Sequence, residues 1–321
     1  MTKKLVVWDS LFLPTAKNHG FFVKKLSLGF EQHGFQVRKS KYLRDLRSAE
    51  FVIVSNHTLF EGSAAGALLG RCLPRFVRIK LGESLQFLAI RRIAGRMNPS
   101  GTLIAWYWHK HEDHFVKLGV RYVLIGEFFQ LPPRNPSYRE WFDRYTSSEH
   151  AVGVEFASAY ELTDHDQQPR EIDVLYVGNR LYEPSWQQAF EREFGSSCQI
   201  LGTPPYIPES RRLDLYRRSK IVLGLHGGGN VSNSVVVERV YEAIALGAVV
   251  ISNNPAASPA TGGVALVAGS PDEAVKLARE VLDSPAEWSE RVAAGLSFSR
   301  AQGLYEHRAD LIIKAAEAWH V

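Results

Sequence analysis

Cysteine is nearly missing from this sequence. Only Cys72 and Cys198 occur in 321 residues, and they lie in opposite halves. That pattern excludes a disulfide framework and a CxxC metal site, and it suits a reducing compartment. Long apolar runs are missing too. None approaches the roughly 20 residues that a membrane-spanning helix needs. The apolar run in the opening MTKKLVVWDS is too short for a signal-peptide core and reads as a first strand. Neither sign of charge dominates: 38 Lys and Arg face 34 Asp and Glu, for a net charge of +4. With 45% hydrophobic and 22% charged residues the composition is that of a folded globular protein, not a disordered chain. No internal repeat and no low-complexity segment is present. The length suits one large domain or two ordinary ones.

What is there is a rhythm. Leu5–Trp8 reads as a buried strand, and Phe21–His33 repeats apolar residues at helical spacing up to Gly34. Further strands are expected at Phe35–Val37, Phe51–Val54, Thr102–Trp106 and Tyr122–Ile125. The alternation argues for an open, mostly parallel sheet with helices on both faces. It breaks in the loop Leu131–Pro136 and in the polar stretch Ser147–Arg170. A second α/β rhythm follows. Strands are expected at Ile172–Val177, Gln199–Leu201, Ile221–Leu225, Val249–Ser252 and Ala265–Val267. Helices are expected at Ser185–Phe194, Leu213–Ser219, Val235–Leu246, Pro271–Leu282 and Tyr305–Trp319, with one more between the last two. The expected organisation is therefore α/β with two Rossmann-like, doubly wound domains. Residues 1–168 form an N-terminal domain, 169–303 a second domain, and 304–321 a C-terminal helix that packs back on the first.

The chemistry concentrates in Ser219–Pro255. A buried strand ends at Leu225, and His226 leads into the consecutive glycines Gly227, Gly228 and Gly229. Asn230, Ser232, Asn233 and Ser234 then offer helix N-caps. Ligands of open α/β sheets bind beyond the carboxyl ends of strands. Glycines there let backbone N–H groups approach a phosphate, and a helix N-terminus favours negative charge. The loop is not a dinucleotide fingerprint, because it does not follow the first strand of its domain. It is not a Walker A loop, because no Lys-Ser/Thr pair follows. Glu238, Arg239 and Glu242 sit on an otherwise apolar helix, where unpaired charge is costly. Either Arg239 bridges to a nearby carboxylate, or Arg239 faces a diphosphate and Glu242 accepts hydrogen bonds from ribose hydroxyls.

At these residues the chain resembles a known family. The string Arg239-Val240-Tyr241-Glu242-Ala243-Ile244-Ala245-Leu246-Gly247-Ala248 is similar to the R-(V/L)-(F/Y)-E-A-(L/A)-A-C-G-A signature of glycosyltransferases of the spore-maturation-protein B group, related to the glycosyl transferases group 1 families. Asp173-Val174-Leu175-Tyr176-Val177-Gly178 resembles the D-V-x-F-V-G start of their donor domain. Tyr305-Glu306-His307-Arg308-Ala309 resembles their Y-E-x-R-A motif. The resemblance implies the two-domain GT-B fold, with domains facing a central cleft, the second binding a nucleotide diphosphate-sugar and the first an acceptor. It gives Arg239 the diphosphate and Glu242 the ribose, with Gly178 and Asn179 opposite. Retaining enzymes of family 4 carry a Glu where this chain has Ser234, and Val237-Glu238-Arg239 looks like the T-E-K of α-1,3-fucosyltransferases. Stereochemistry stays open between the two.

The N-terminal half is expected to supply acceptor contacts and, for an inverting enzyme, a general base. Asp9, His19, His57 and the group His109, His111 and His114 follow strands and are candidates. On a loop these histidines read as exposed rather than as metal ligands. The resemblance implies no DxD-bound metal, and Asp164-His165-Asp166, in the polar junction, reads as linker. Trp106-Tyr107-Trp108 reads as core before it reads as a sugar platform. Arg71, Arg75, Arg78, Lys80, Arg91, Arg92 and Arg96 share a stretch whose only acid is Glu83. Such a stretch suits an anionic partner. The sequence therefore reads as a cytoplasmic, metal-independent glycosyltransferase using no cofactor beyond its donor, peripheral on the inner membrane face. Its acceptor is read as a bacterial surface glycan or lipid-linked saccharide. A nucleic-acid glycosyltransferase and a non-catalytic sugar-nucleotide-binding protein are the alternatives.

Overall fold

The computed structural model describes residues 3–8, 17–55, 87–88, 90–106, 112–127, 132–163, 169–202 and 207–318. The chain divides into two compact units. One comprises Met1–Glu127, Glu140–Val154 and Glu306–Val321; the other comprises Phe128–Arg139 and Glu155–Tyr305. The chain leaves the first unit at Val154, ahead of the expected position 168, because the polar stretch that follows is bonded to the second. Ser158 N–H donates to Gly303 O at 2.9 Å, and Leu162 N–H donates to Ala245 O at 2.9 Å.

The first unit is built on six parallel strands: β1 (Lys3–Trp8), β2 (Phe35–Ser40), β3 (Phe51–Ser55), β4 (Thr102–Trp106), β5 (Arg121–Glu127) and β6 (Ala151–Val154). Their order is β2-β1-β3-β4-β5-β6. Val52, Ile53 and Val54 of β3 and Leu103, Ile104 and Ala105 of β4 are all buried, as strands covered on both faces require. The described helices include α1 (Lys17–Gln32), α2 (Glu112–Leu118), α3 (Pro136–Ser147) and, from the far end of the chain, α11 (Tyr305–Glu317). Arg121 Nη2 donates to Ala316 O at 2.7 Å, and His33 Nε2 lies 3.0 Å from Glu306 O.

Helix α3 and strand β6 are absent from the sequence reading, which stops at the proline-rich loop. The signal was there. Tyr138, Trp141, Phe142 and Tyr145 fall at helical spacing behind Pro136, and proline is favoured at a helix start. Trp141 is fully buried, with its indole over Gly126 of β5, where a Cβ would stand 2.4 Å from the ring. The sequence Arg44–Glu50 also folds further than expected, as a 3-10 turn at Leu43–Ser48 with Leu46 buried.

The second unit carries β7 (Ile172–Gly178), β8 (Cys198–Gly202), β9 (Ser219–Gly224), β10 (Val249–Ser252) and β11 (Leu266–Val267), all parallel. Their order is β11-β10-β9-β7-β8. The helices are α4 (Pro184–Phe194), α5 (Glu209–Arg217), α6 (Gly228–Ser232), α7 (Glu238–Ala245), α8 (Ala257–Ala260), α9 (Pro271–Asp283) and α10 (Pro285–Phe298). One face of the sheet packs Val174, Tyr176, Ile221 and Leu223 on Phe190 and Ala274. The other packs Leu175, Val222 and Val250 on Tyr216, Tyr241 and Ile244. Both sheets bury apolar residues between helices on two faces, so each unit is Rossmann-like, as the rhythm predicts.

One element is corrected. The helix expected at Val235–Leu246 begins only at Glu238, behind the separate five-residue α6. Ser234 adopts a left-handed φ of 58°, and Val235, Val236 and Val237 run on without helical structure. Three successive β-branched residues resist helix formation, and the left-handed residue before them ends the previous turn.

Candidate functional site

In the second sheet the connection from β7 runs to one side and the return through β9 to the other, which opens a crevice beyond the carboxyl ends of those neighbours. The signature residues gather there. Gly178 ends β7, and Arg239 from the start of α7 reaches it. Arg239 Nη1 donates to Val177 O at 2.9 Å, and the guanidinium lies 5.7 Å from the centre of the Tyr176 ring. A Cβ on Gly178 would stand 2.4 Å from that Nη1 and 2.6 Å from Tyr176 Oη. Asn179 follows in a tight turn: its Oδ1 accepts from Leu181 N–H at 2.9 Å, and its carbonyl accepts from Tyr176 Oη at 2.9 Å.

The glycine loop lies against the same turn. A Cβ on Gly227 would stand 3.3 Å from the Tyr182 ring, whereas the corresponding positions at Gly228 and Gly229 meet nothing within 4 Å. Gly227, not one of the expected Asn or Ser residues, occupies the N-cap of α6, and Asn230 N–H is spent on Gly227 O. The glycines therefore leave room for a ligand at the open end of α6.

His226 is enclosed. It is 1% exposed; its Nε2 accepts from Val237 N–H at 3.1 Å, and its Nδ1 lies 3.3 Å from Ser252 Oγ. Burial, with a smaller contribution from the Arg239 charge, pushes its pKa down to about 3, so the ring is neutral. The neutral ring must accept at Nε2 and therefore carries its proton on Nδ1. His226 N–H donates to Asn253 Oδ1 at 2.8 Å, and Asn253 Nδ2 returns a bond to His226 O at 3.0 Å. Direct ligand contact, expected from its place beside the glycines, is not what this geometry provides. His226 instead clamps the loop after β9 to the loop after β10 and to the start of α7.

Glu242 is also enclosed. Its side chain is 0% exposed and forms an ion pair with Arg212 of α5, whose Nη2 lies 3.3 Å from Oε1. The sequence alternative of a bridge from Arg239 is thus corrected: the buried carboxylate is neutralised by an arginine 30 positions upstream, which no spacing rule pairs with it. Glu238 takes a different partner, accepting from Tyr305 Oη at 2.8 Å. Tyr305 of the third motif thus meets the residue directly ahead of the signature. Gly247 closes the signature with a φ of 78°, and Arg170 Nη2 would lie 2.6 Å from a Cβ there. Arg170 itself bonds Ser219 O at 2.6 Å and Leu246 O at 2.7 Å, holding β9 to the end of α7.

Beyond β9 and β10 lies a cavity of about 550 Å³, within the range of small-ligand sites. Its lining includes Gly228, Ser232 and Ser234, Asn253 and Asn254, Glu183 and Trp186, and Arg134. Of the expected residues it thus brings together Gly228 and Ser234; Gly178, Asn179, His226, Gly227, Gly229, Asn230, Arg239 and Glu242 are not among its lining residues. Asn253, Asn254, Glu183 and Arg134 were missed. The asparagines had a signal, since Asn253-Asn254-Pro255 directly follows a buried strand. Arg134 had none, because its loop falls between strands of the other sheet in sequence. Asp9, His57, His109, His111 and Asp164-His165-Asp166 lie outside the described residues, as do the side chains of His19, His114 and Trp106. Among the described residues no group of three or more His, Cys, Asp or Glu side chains could hold a metal ion. No described helix is long and apolar enough to cross a membrane.

Comparison with known proteins bears on this geometry. Residues 167–314 match the model of the family described as glycosyl transferase-like. No curated protein matches the chain in sequence. Among solved structures, the T4 phage β-glucosyltransferase in complex with UDP-glucose superposes with a TM-score of 0.54 at 10% identity, over 98% of this chain and 100% of that one. Another structure of a β-glucosyltransferase, described as a DNA modifying enzyme, gives 0.54 at 11% identity, over 98% and 99%. The UDP-forming α,α-trehalose-phosphate synthase from Burkholderia vietnamiensis gives 0.56 at 10% identity, over 98% and 100%. The chain shares the fold of these structures, and its residues 167–314 resemble a glycosyl transferase-like family.

Proposed function

We propose that the chain transfers a sugar from a nucleotide diphosphate-sugar to a hydroxyl of a saccharide acceptor. The observation that supports this reading best is a cavity at the glycine loop, directly ahead of the signature helix. The Gly227–Gly247 segment wraps the carboxyl ends of β9 and β10 and contributes Gly228 and Ser234 to the cavity wall. The neighbours are described with UDP-glucose or as UDP-forming, so a UDP-sugar is the first donor to test. In this reading the open backbone at Gly228 and Gly229 and the guanidinium of Arg239 stabilise the departing diphosphate, and binding supplies orientation. Glu242 acts from behind, holding Arg212 and α7 in place, and meets ribose only if Arg212 moves aside.

The acceptor is proposed to be a surface or lipid-linked glycan, with the first unit as its binding domain and Asp9, His19 or Glu238 as the group that takes the acceptor proton. Arg91, Arg92 and Arg96 are exposed, which suits an anionic surface. Calorimetric titration with UDP-, ADP- and GDP-sugars, followed by Arg239→Ala, tests the donor half. Binding of one donor that weakens at least tenfold in the variant supports it; absence of binding to every donor refutes it.

A further inference from the structure

We infer that Arg134 and Glu183 read the two ends of the donor in this cavity, Arg134 taking the diphosphate and Glu183 the hydroxyls of the transferred sugar. The inference rests on the donor reading above and adds residues that neither the family signature nor the glycine loop contains.

Arg134 stands in a segment that follows β5 in sequence, yet Phe128–Arg139 belongs to the second unit. Asn135 N–H donates to Asn233 Oδ1 at 3.0 Å, which fixes this segment beside α6. Among the described residues of the cavity lining, Arg134 is the one cation and Glu183 the one anion. Neither side chain has a hydrogen bond or ion pair among the described residues. Three arginines around the signature are held by the protein: Arg170 by backbone carbonyls, Arg212 by Glu242, and Arg239 through one nitrogen by Val177 O. An uncommitted guanidinium at the wall of a cavity presents a fork of donors that matches phosphate oxygens.

The remaining polar groups sort the same way. Asn253 and Asn254 spend their side chains on backbone, the latter on Val235 O and Ala256 N–H. Ser234 is 8% exposed, lines the cavity, and its hydroxyl has no partner among the described residues. Glu183 and Ser234 are also the described non-glycine residues with positive φ, 52° and 58°. Backbone held in that region costs about 1–3 kcal/mol and persists where the surroundings over-determine it. Both residues are therefore held at the cavity wall against local preference. A carboxylate and a hydroxyl beside Trp186 can accept and share hydrogen bonds from sugar hydroxyls, whereas a carboxylate repels a diphosphate. Charge thus assigns one end of the donor to each residue.

The test is calorimetry on the full chain with UDP-glucose, UDP, uridine and inorganic pyrophosphate, repeated with the ADP and GDP series. Arg134→Ala is expected to weaken the nucleoside diphosphate and pyrophosphate by 10- to 100-fold and leave the nucleoside unchanged, with Arg134→Lys between. Glu183→Gln is expected to leave the bare diphosphate as tight or tighter and to lower the preference for sugar nucleotide over diphosphate by at least fivefold. Both positions line an open cavity, so circular dichroism and melting should match wild type. Wild-type binding of a diphosphate that Arg134→Ala leaves intact overturns this assignment and spares the donor reading. An unchanged sugar-to-diphosphate ratio in Glu183→Gln overturns the Glu183 half. Failure of the wild type to bind any diphosphate overturns the donor reading and this inference with it.

Discussion

Arg239 occupies the space that a side chain at Gly178 would fill: its Nη1 would lie 2.4 Å from a Cβ there and donates to Val177 O at 2.9 Å. The glycine ending β7 and the arginine opening α7 are a matched pair, 61 positions apart. Gly178→Ala should therefore displace the guanidinium and weaken donor binding by ~10- to 100-fold, close to the effect of Arg239→Ala. The double variant should be no worse than Arg239→Ala alone, since the alanine acts through the arginine. Full additivity in the titration would show that Gly178 matters for another reason.

Arg212 and Glu242 form a buried ion pair in the second unit, with side chains 15% and 0% exposed. Removing one partner of a buried pair strands the other, at roughly 3–5 kcal/mol. Arg212→Ala should lower stability by about that amount in urea unfolding. Arg212→Ala combined with Glu242→Leu should recover much of it. A loss below about 1 kcal/mol in the single variant would mean that water reaches Glu242.

His226 makes the fold sensitive to acid. Its folded pKa of about 3 lies below the ordinary 6.5, so between those values the unfolded chain binds the proton and the folded chain does not. Stability from this group is present above pH ~6.5 and falls with acid towards pH 3, by on the order of 2 kcal/mol between pH 7 and pH 5. His226→Asn should be less stable at pH 7 and show a flatter decline on acidification. Parallel melting curves for wild type and variant across that window would contradict the assignment.

Gly126 and Trp141 make an equivalent match in the first unit, where a Cβ would stand 2.4 Å from the indole. The ring is 1% exposed and has nowhere to go. Gly126→Ala should cost ~1–3 kcal/mol by overpacking, read as a drop in the melting transition. A melting temperature equal to wild type would mean that the tryptophan repacks freely.

Much of this architecture was written in local patterns. Buried parallel strands are continuous apolar runs, so β3, β4, β7, β9 and β10 could be read from hydrophobicity alone, and Gly34 and Gly247 marked the ends of helices with positive φ. The signature Arg239–Ala248 named the helix beside the site, because its residue types are specified by close packing and charge at fixed spacing. Tertiary structure alone decided who meets whom. Glu242 pairs with Arg212, Glu238 with Tyr305, His226 with Val237 and Asn253, and Arg134 lines a cavity whose other walls come from distant parts of the sequence. Periodicity reports which face of an element is buried but not which side chain arrives opposite it. That depends on strand order and loop path, which in the three side-chain pairs of Glu242, Glu238 and His226 with Val237 join residues 11 to 67 positions apart. A charge in an apolar helix announces that a partner must exist, and only the fold names it.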